Sequence, residues 1–391
     1  MNGKNNLLFV CYGLGIGGVE KCLINLLNSM DTDKYIIDLL PLNPIYDLAE
    51  SIKSDHNLLN PFEYVINTTD TMGEIKANGG VINHPQMFLR YCVFRLKNKF
   101  GENPWKLFRP INKHYDIAIA YSHDNWTMNY VLHKVNARRK VLWYHNGAYN
   151  NTGKRLTQDR IAFKKFDYVV AVSEDCKRIL SNALQLDTDK LIVLKNICDI
   201  EAIREQAMCY SPDYFANDRT NIVTVGRLTK EKGADLAIEA CRKLKDTGHH
   251  VLWHWVGDGN QRDIIEQRID ELQLSDAFVV EGNKTNPYPY IKKADIYVQP
   301  SYYEAYSTTI TEAKVLGRAI VTTDVGGMRE QIEHGKNGWI VDISADALAE
   351  TISNLIDYPN LIHACERALE KEDWSHYNNL KSYYKTVFHV E

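Results

Sequence analysis

No stretch of the chain approaches the roughly 18 to 20 uninterrupted apolar residues that a membrane-spanning helix needs, so none reads as a transmembrane segment. The amino terminus, MNGKNNLLFVCYGLGIGG, lacks a charged region followed by a long apolar one and a cleavage site, and is not read as a signal peptide. The eight cysteines are scattered, without a C-x-x-C pair or histidine partners at zinc spacing. Several, such as Cys11 and Cys22, sit in apolar company and read as buried thiols, which points to a reducing, cytoplasmic setting rather than a disulfide framework. There are no internal repeats and no low-complexity tracts. Strong net charge is also missing: the balance is −4 over 391 residues, with an isoelectric point near 6.4 and no stacking motif, which argues against a nucleic-acid partner.

What is present is a soluble globular composition, 45% hydrophobic and 25% charged, on a chain long enough for two domains. The small net charge is unevenly split: residues 1–200 carry 25 Lys and Arg against 20 Asp and Glu, whereas the remainder is acidic, with 21 against 30. Short apolar runs recur at regular intervals, separated by helical patterns. In the first half these are NLLFVC, KYIIDLLPL, YDIAIAYS, KVLWYHN, YVVAVS and KLIVLKN; in the second, NIVTVGR, HVLWHWVG, AFVVEG, ADIYVQP, AIVTTD and GWIVD. Such alternation predicts an α/β protein with two facing, doubly wound Rossmann-like domains. We place the first domain at 1–197, a linker region at 198–218, the second domain at 219–372 and a carboxyl-terminal helix at 373–391. That helix carries Trp374, Tyr377, Leu380, Tyr384 and Phe388 on one stripe and is expected to cross back onto the first domain. In open α/β sheets ligands bind beyond the carboxyl ends of the strands, so two facing sheets make a deep cleft.

Three polar clusters fall at such strand ends. GLGIGGVE, Gly13 to Glu20, joins the first strand to a helix; it suits a phosphate at the helix's positive end, or simply a turn needing positive φ. VGRLTKEKG places Arg227 and Lys232 ahead of a helix, which fits a doubly charged anion such as a diphosphate or a solvated loop. YEAYSTTITE follows a buried strand. Its helix is expected to start near Ser307 to Thr309, with Glu304 in the loop ahead of it and Glu312 in its opening turns. The two glutamates could each grip a vicinal diol, one on a sugar and one on a ribose. Equally, Thr309-Ile-Thr-Glu312 is a capping box, which would make Glu312 a structural cap. Together with Arg227 and Lys232, the nucleotide-sugar reading is the better one.

Taken together, GGVE, WYHN, AVSE, VGRLTKEKG, VGDGN, NPYPYIKKADIYVQPSYYEAY and DVGGMREQI resemble a GT-B fold glycosyltransferase of family 4, the retaining kind, with EAYSTTITE as its E-x7-E motif. The resemblance extends over almost the whole chain and is similar to bacterial enzymes of capsular or exopolysaccharide synthesis. It implies a nucleotide diphosphate sugar, UDP-sugar favoured, bound by the second domain, and an acceptor bound by the first. Carried over, Arg227 and Lys232 neutralise the diphosphate, Glu312 holds the ribose and Glu304 the donor sugar. The backbone amides of Tyr306, Ser307 and Thr308 line sugar and phosphate. Gly17 and Gly18 close over the phosphate, His145 reaches the transferring sugar, and Asn283 lies where the base is met. Ala305 stands where the family usually has Gly. No metal or other cofactor is expected, since the two cations stand in for one. The alternatives are a sugar-nucleotide 2-epimerase of the same fold and a non-catalytic accessory subunit.

On the acceptor side, FLRYCVFRLKNKFGENPWKLFR at 88–109 mixes six Lys and Arg with one Glu and interleaves aromatics. It is expected either to meet an anionic membrane surface on its inner face, beside a glycan or lipid-linked acceptor, or to pack on the sheet.

Overall fold

The computed structural model describes residues 4–61, 92, 96, 108–212, 215, 218–378 and 380–388. Two parallel sheets dominate it. The first holds β1 (Asn5–Cys11), β2 (Tyr35–Pro41), β3 (Asn57–Leu58), β4 (His114–Ala120), β5 (Asn136–Tyr144), β6 (Tyr168–Ala171) and β7 (Leu191–Val193), in the order β3-β2-β1-β4-β5-β6-β7. The second holds β8 (Thr220–Val225), β9 (Val251–Val256), β10 (Phe278–Gly282), β11 (Ile296–Gln299), β12 (Ala319–Thr323) and β13 (Trp339–Val341), in the order β10-β9-β8-β11-β12-β13. Strand order reverses next to β1 in one sheet and next to β8 in the other, so each domain is doubly wound with its switch point beside its first strand.

The strands are apolar runs because both of their faces are covered. Leu7, Leu8, Phe9 and Val10 are all fully buried, two on each side of the first sheet, and Ile296, Tyr297 and Val298 repeat this in the second. Helices α1 (Gly18–Ser29), α2 (Asn125–Lys134), α3 (Gly153–Phe163) and α4 (Glu174–Leu184) surround the first sheet. The second is flanked by α6 (Ala234–Asp246), α7 (Arg262–Glu271), α8 (Tyr288–Lys293), α9 (Thr308–Val315), α10 (Ala345–Asp357) and α11 (Pro359–Glu370). The expected strands all form, within a few residues of their expected ends. β3 was not expected: it is a two-residue, exposed edge strand with no apolar run to reveal it.

The region read as linker contains a helix, α5 (Ile200–Gln206), capped by Asp199 and pinned by buried Ile200 and Ile203. The tail is not one helix. It is a 3₁₀ turn at Ser375–Asn378, a short α12 (Leu380–Tyr383) and a π turn at Tyr384–Phe388. Tyr377 and Phe388 of the expected stripe are buried, and Trp374 and Leu380 pack partly buried beside them; the wider π turn shifts the register so that Tyr383 and Val387 join the buried set. It does return to the first domain. Phe388 lies 6.2 Å from both Phe9 and Tyr35, and Tyr383 stacks on Trp143 at 5.9 Å. Arg139 Nη1 donates to the Val387 carbonyl at 2.9 Å, and the Tyr383 hydroxyl donates to that of Lys195. Apart from residues 92, 96, 108 and 109, the basic segment 88–109 lies outside the described residues. No helix among the described residues is long and apolar enough to cross a membrane.

Since Phe388 is fully buried, Phe388→Ala is expected to cost about 3 to 5 kcal/mol, read as a lower denaturant midpoint for the first domain. A cost below about 1 kcal/mol would mean that the tail does not anchor there.

Candidate active site

The carboxyl ends of the two sheets face each other across a cleft of about 720 Å³. From the second domain it is lined by Arg227, Lys232, Asn283, Glu304, Tyr306, Ser307 and Thr308; from the first, by Gly17, Gly18 and His145. Ten of the eleven site residues expected from the sequence therefore meet in one place. The eleventh, Glu312, is 3% exposed and stands behind the cleft wall.

Two helices start at this cleft. α1 follows β1, with extended Gly17 as its N-cap, and α9 follows β11, with Ser307 as its N-cap. A methyl group placed on Gly18 would lie 3.5 Å from Thr308 Oγ1, so the two amino termini nearly touch across the cleft. Both bring positive dipole ends and free N–H groups to the same space, which favours an anion between them. None of the glycines in GLGIGG has a positive φ; they are there for close approach, not for a left-handed turn. Glu20, the third residue of α1, folds back against Gly17. Burial raises its pKa, while Arg227 on the opposite wall pulls it down.

The Ser307 side chain accepts from Ile310 N, so the cap of α9 is Ser307 and not Thr309; Glu312 is no capping-box partner. The Ser307 backbone N–H is also committed, donating to Gln331 Oε1 at 2.9 Å. Of the three amides expected to face sugar and phosphate, this one points into the protein.

Glu304 is held through one oxygen. Its Oε1 accepts from Lys232 Nζ at 2.6 Å, Ser301 Oγ at 2.9 Å and Gln299 Nε2 at 3.2 Å. Gln299 is fixed in turn, its Oε1 accepting from Tyr297 Oη at 2.8 Å and Thr309 Oγ1 at 2.9 Å. Among the described residues nothing hydrogen-bonds Oε2, which remains for a hydroxyl donor. Arg227 is mostly exposed, with only a 3.3 Å contact to Glu231.

The Glu304–Ala305 peptide is clamped by the first domain. Ser173 Oγ, which caps α4 by accepting from Cys176 N, donates to the Ala305 carbonyl at 2.8 Å. Glu330 of the second domain caps the same helix, its carboxylate accepting from Asp175 N at 2.9 Å and Glu174 N at 3.2 Å. Gly147 packs directly on the Glu304 carbonyl, which a side chain at Gly147 would overlap. Gly326, in the left-handed region at φ +45°, closes on the same carbonyl from the other side.

His145 ends β5's run, its ring 4.8 Å from that of Tyr121. Burial and the nearby His123 push its pKa down to about 3, so the imidazole is neutral, and its Nε2 is buried without a partner. His123, its ring tilted against that of Tyr144 at 4.3 Å and also lining the cleft, has its pKa lowered as well, chiefly by burial. Sequence reasoning missed Glu20, Lys21, His123, Gln299, Ser173 and Glu330 as parts of the site. Glu20 was the most readable of them, an acid at the third position of a helix.

Residues 213–372 match the family of group 1 glycosyl transferases. The match spans the second domain. An uncharacterized glycosyltransferase of Methanocaldococcus jannaschii, MJ1607, is 26% identical over 298 residues, 70% of this chain and 73% of its own length. The putative colanic acid biosynthesis glycosyltransferase WcaL of Salmonella typhimurium is 32% identical over 161 residues, 38% of this chain and 40% of its own length. In overall structure the chain is similar to Anabaena Alr3699/HepE, solved in complex with UDP: TM-score 0.68 at 17% identity, over 98% of this chain and 100% of that one. The two-domain architecture is GT-B.

Because a Cβ at Gly147 overlaps backbone of the opposite domain, Gly147→Ala is expected to push the domains apart. Small-angle scattering should show a larger radius of gyration than for the parent protein; an unchanged value would show that the contact does not hold the domains together.

His145 also gives a pH dependence. Its pKa falls from 6.5 in the unfolded chain to about 3 in the fold, so between those values the unfolded state binds more protons. Stability should fall as pH drops through that window, and His145→Gln should flatten the slope. An unaltered slope in the variant would place the titration elsewhere.

Proposed function

We propose that the protein is a retaining glycosyltransferase that moves a hexose from a nucleotide diphosphate sugar, UDP-sugar favoured, to a hydroxyl of a glycan or lipid-linked acceptor in cell-surface polysaccharide synthesis. Glycosyl transfer itself is supported by the group 1 family match and by relatives that bear that name. The observation that carries the finer reading is the convergence of Arg227, Lys232, Glu304 and His145 with two helix amino termini in one cleft.

In this reading the diphosphate lies between the amino termini of α1 and α9. Arg227 and Lys232 take up its charge, and Lys232 is shared with Glu304. Oε2 of Glu304 accepts from a hydroxyl of the donor sugar. His145, being neutral, offers a hydrogen bond to the same sugar without adding charge. The ribose falls to Glu312 and the base to the loop at Asn283.

Chemistry then needs no carboxylate nucleophile. The acceptor oxygen attacks the anomeric carbon on the face from which the diphosphate departs. The bond from that carbon to the phosphate oxygen breaks, its electron pair staying on the phosphate. The acceptor's proton passes to that same phosphate oxygen. Charge grows on the leaving diphosphate, where the cations and the helix ends oppose it, and such preorganised electrostatics is usually the largest contribution to a rate. No divalent metal is required in this scheme, because the two cations and the helix dipoles supply the positive charge.

The test is hydrolysis of a panel of UDP-, GDP- and ADP-sugars in EDTA, comparing wild type with Glu304→Ala and Lys232→Ala. Release of one nucleoside diphosphate is expected, reduced by about 100-fold or more in each variant. Binding without turnover of any member would favour the accessory-subunit reading, and dependence on added metal would overturn the metal-free scheme.

A further inference from the structure

Lys21 and Glu312 join the two domains one turn inside the helices that meet at the cleft. Lys21 Nζ, on α1, is 3.7 Å from Glu312 Oε1, on α9. The same oxygen accepts from the Tyr288 hydroxyl at 3.3 Å, and the Lys21 ammonium sits 5.1 Å from the centre of the Tyr288 ring. The other oxygen, Oε2, is buried and has no hydrogen-bond partner. Leaving a carboxylate oxygen in that condition is costly unless something uses it.

The surroundings suggest what does. A second hollow of about 10 Å³, room for one water at most, adjoins Glu312. Lys21, Asn196, Tyr306 and Thr308 line both this hollow and the main cleft, so a thin wall separates Glu312 from the donor site. A neutral hydroxyl reaching through that wall would satisfy Oε2. A phosphate would not, because it would place like charges together. Burial favours the uncharged form of Glu312, and Lys21 works against this. Among the described residues, the cation paired with Glu312 is Lys21 of the other domain, so the pair needs the two domains side by side.

We propose that Lys21 is a positioning residue for nucleotide recognition, holding the Glu312 carboxylate so that its free Oε2 takes a ribose hydroxyl only in the closed arrangement of the domains. This rests on the reading above, in which Glu312 meets the ribose. Its new content is that the first domain, through Lys21, completes the ribose site, so that discrimination for ribose and domain closure are one event.

Calorimetric titration of UDP and GDP, each beside its 2′-deoxy form, tests this on wild type, Lys21→Met, Lys21→Arg and Glu312→Gln. For the base that binds, wild type is expected to prefer the ribonucleotide by at least about tenfold, the loss of a hydrogen bond to a charged group. Lys21→Met and Glu312→Gln should bind the two forms within about twofold of each other, and Lys21→Arg should restore the preference. A mere tie between domains would weaken both nucleotides equally, leaving the ratio intact. Loss of the ratio in Glu312→Gln with its retention in Lys21→Met would overturn the role of Lys21 and keep the ribose assignment. Retention in Glu312→Gln would overturn both, and no binding of any nucleotide by wild type would overturn the donor reading itself. Lys21→Gln, uncharged but still a donor, is the second variant should Lys21→Met fail to fold, and its ratio is read in the same way.

Discussion

Two helices aim their amino termini at the same space, and this sets the terms for everything around the cleft. α1 and α9 come from different domains, yet Gly18 and Thr308 are nearly in contact. Each end carries the equivalent of about half a positive charge, so bringing them together is unfavourable unless negative charge lies between or beside them. The protein supplies some of its own: Glu20 folded over Gly17, Glu304 just ahead of α9, and Glu312 within it. Arg227 and Lys232 then stand beside the same carboxylates, Lys232 in direct contact with Glu304. The result is a dense set of charges that an anion can enter by exchanging partners rather than by creating a site. The tight glycines of GLGIGG follow from the same requirement, since side chains there would keep the helix ends apart.

Closure is held by polar contacts that are individually modest. Glu330 at the amino terminus of α4 and Lys21 with Glu312 each cross from one domain to the other, and Ser173 crosses to the Ala305 carbonyl. A carboxylate at a helix start contributes about 0.3 to 1 kcal/mol at an exposed position, more when partly buried. These polar contacts lie beside a buried apolar cluster that runs from Leu23 and Leu27 of the first domain, through Ile200 and Ile203, to Ile310 and Met328 of the second. The tail works differently. Phe388, Val387 and Tyr383 sit in the same cluster, with Phe388 against Phe9 and Tyr35 and Tyr383 on Trp143, so the chain leaves the second domain and is anchored in the first.

The sequence told most where one physical signal dominated. Apolar runs buried on both faces made the twelve longer strands legible, and the rule that ligands gather at strand carboxyl ends picked out Arg227, Lys232 and Glu304 from residues that are otherwise ordinary, whereas His145 came only from the family resemblance. What could not be read were pairings between segments distant in the chain. Ser173 looks like any helix cap until its hydroxyl is seen to donate to Ala305, 132 residues on. Gln299 lies within an apolar strand pattern, and only the fold shows its amide fixed on both sides and bonded to Glu304. Glu312 was open to two readings because a capping box and a buried ligand have the same local spelling; the cap on Ser307 removes the first. The tail failed for another reason. A π turn moves side chains by one position, and no periodicity fitted to 3.6 residues anticipates that.

The charge asymmetry of the two halves invites the conclusion that the basic first half meets the anionic substrate. The cleft argues otherwise. Its first-domain wall is formed by Ser122, His123, His145, Asn146 and glycines, with Glu20 adding a negative group. Both histidines are held neutral by burial. The first domain's cation in this lining is Lys21, and it is engaged with Glu312. The other cations of this lining, Arg227, Lys232 and Lys284, lie in the acidic half. The first domain's surplus is partly at the opposite end of its sheet, where Lys113 and Lys134 line a surface hollow at the amino ends of β4 and β5. A wall of neutral hydrogen-bonding groups is the chemistry for sugar hydroxyls, and a wall of paired cations is the chemistry for phosphate. The division between domains is therefore one of chemistry at the cleft surface, and the overall charge of each half is no guide to it.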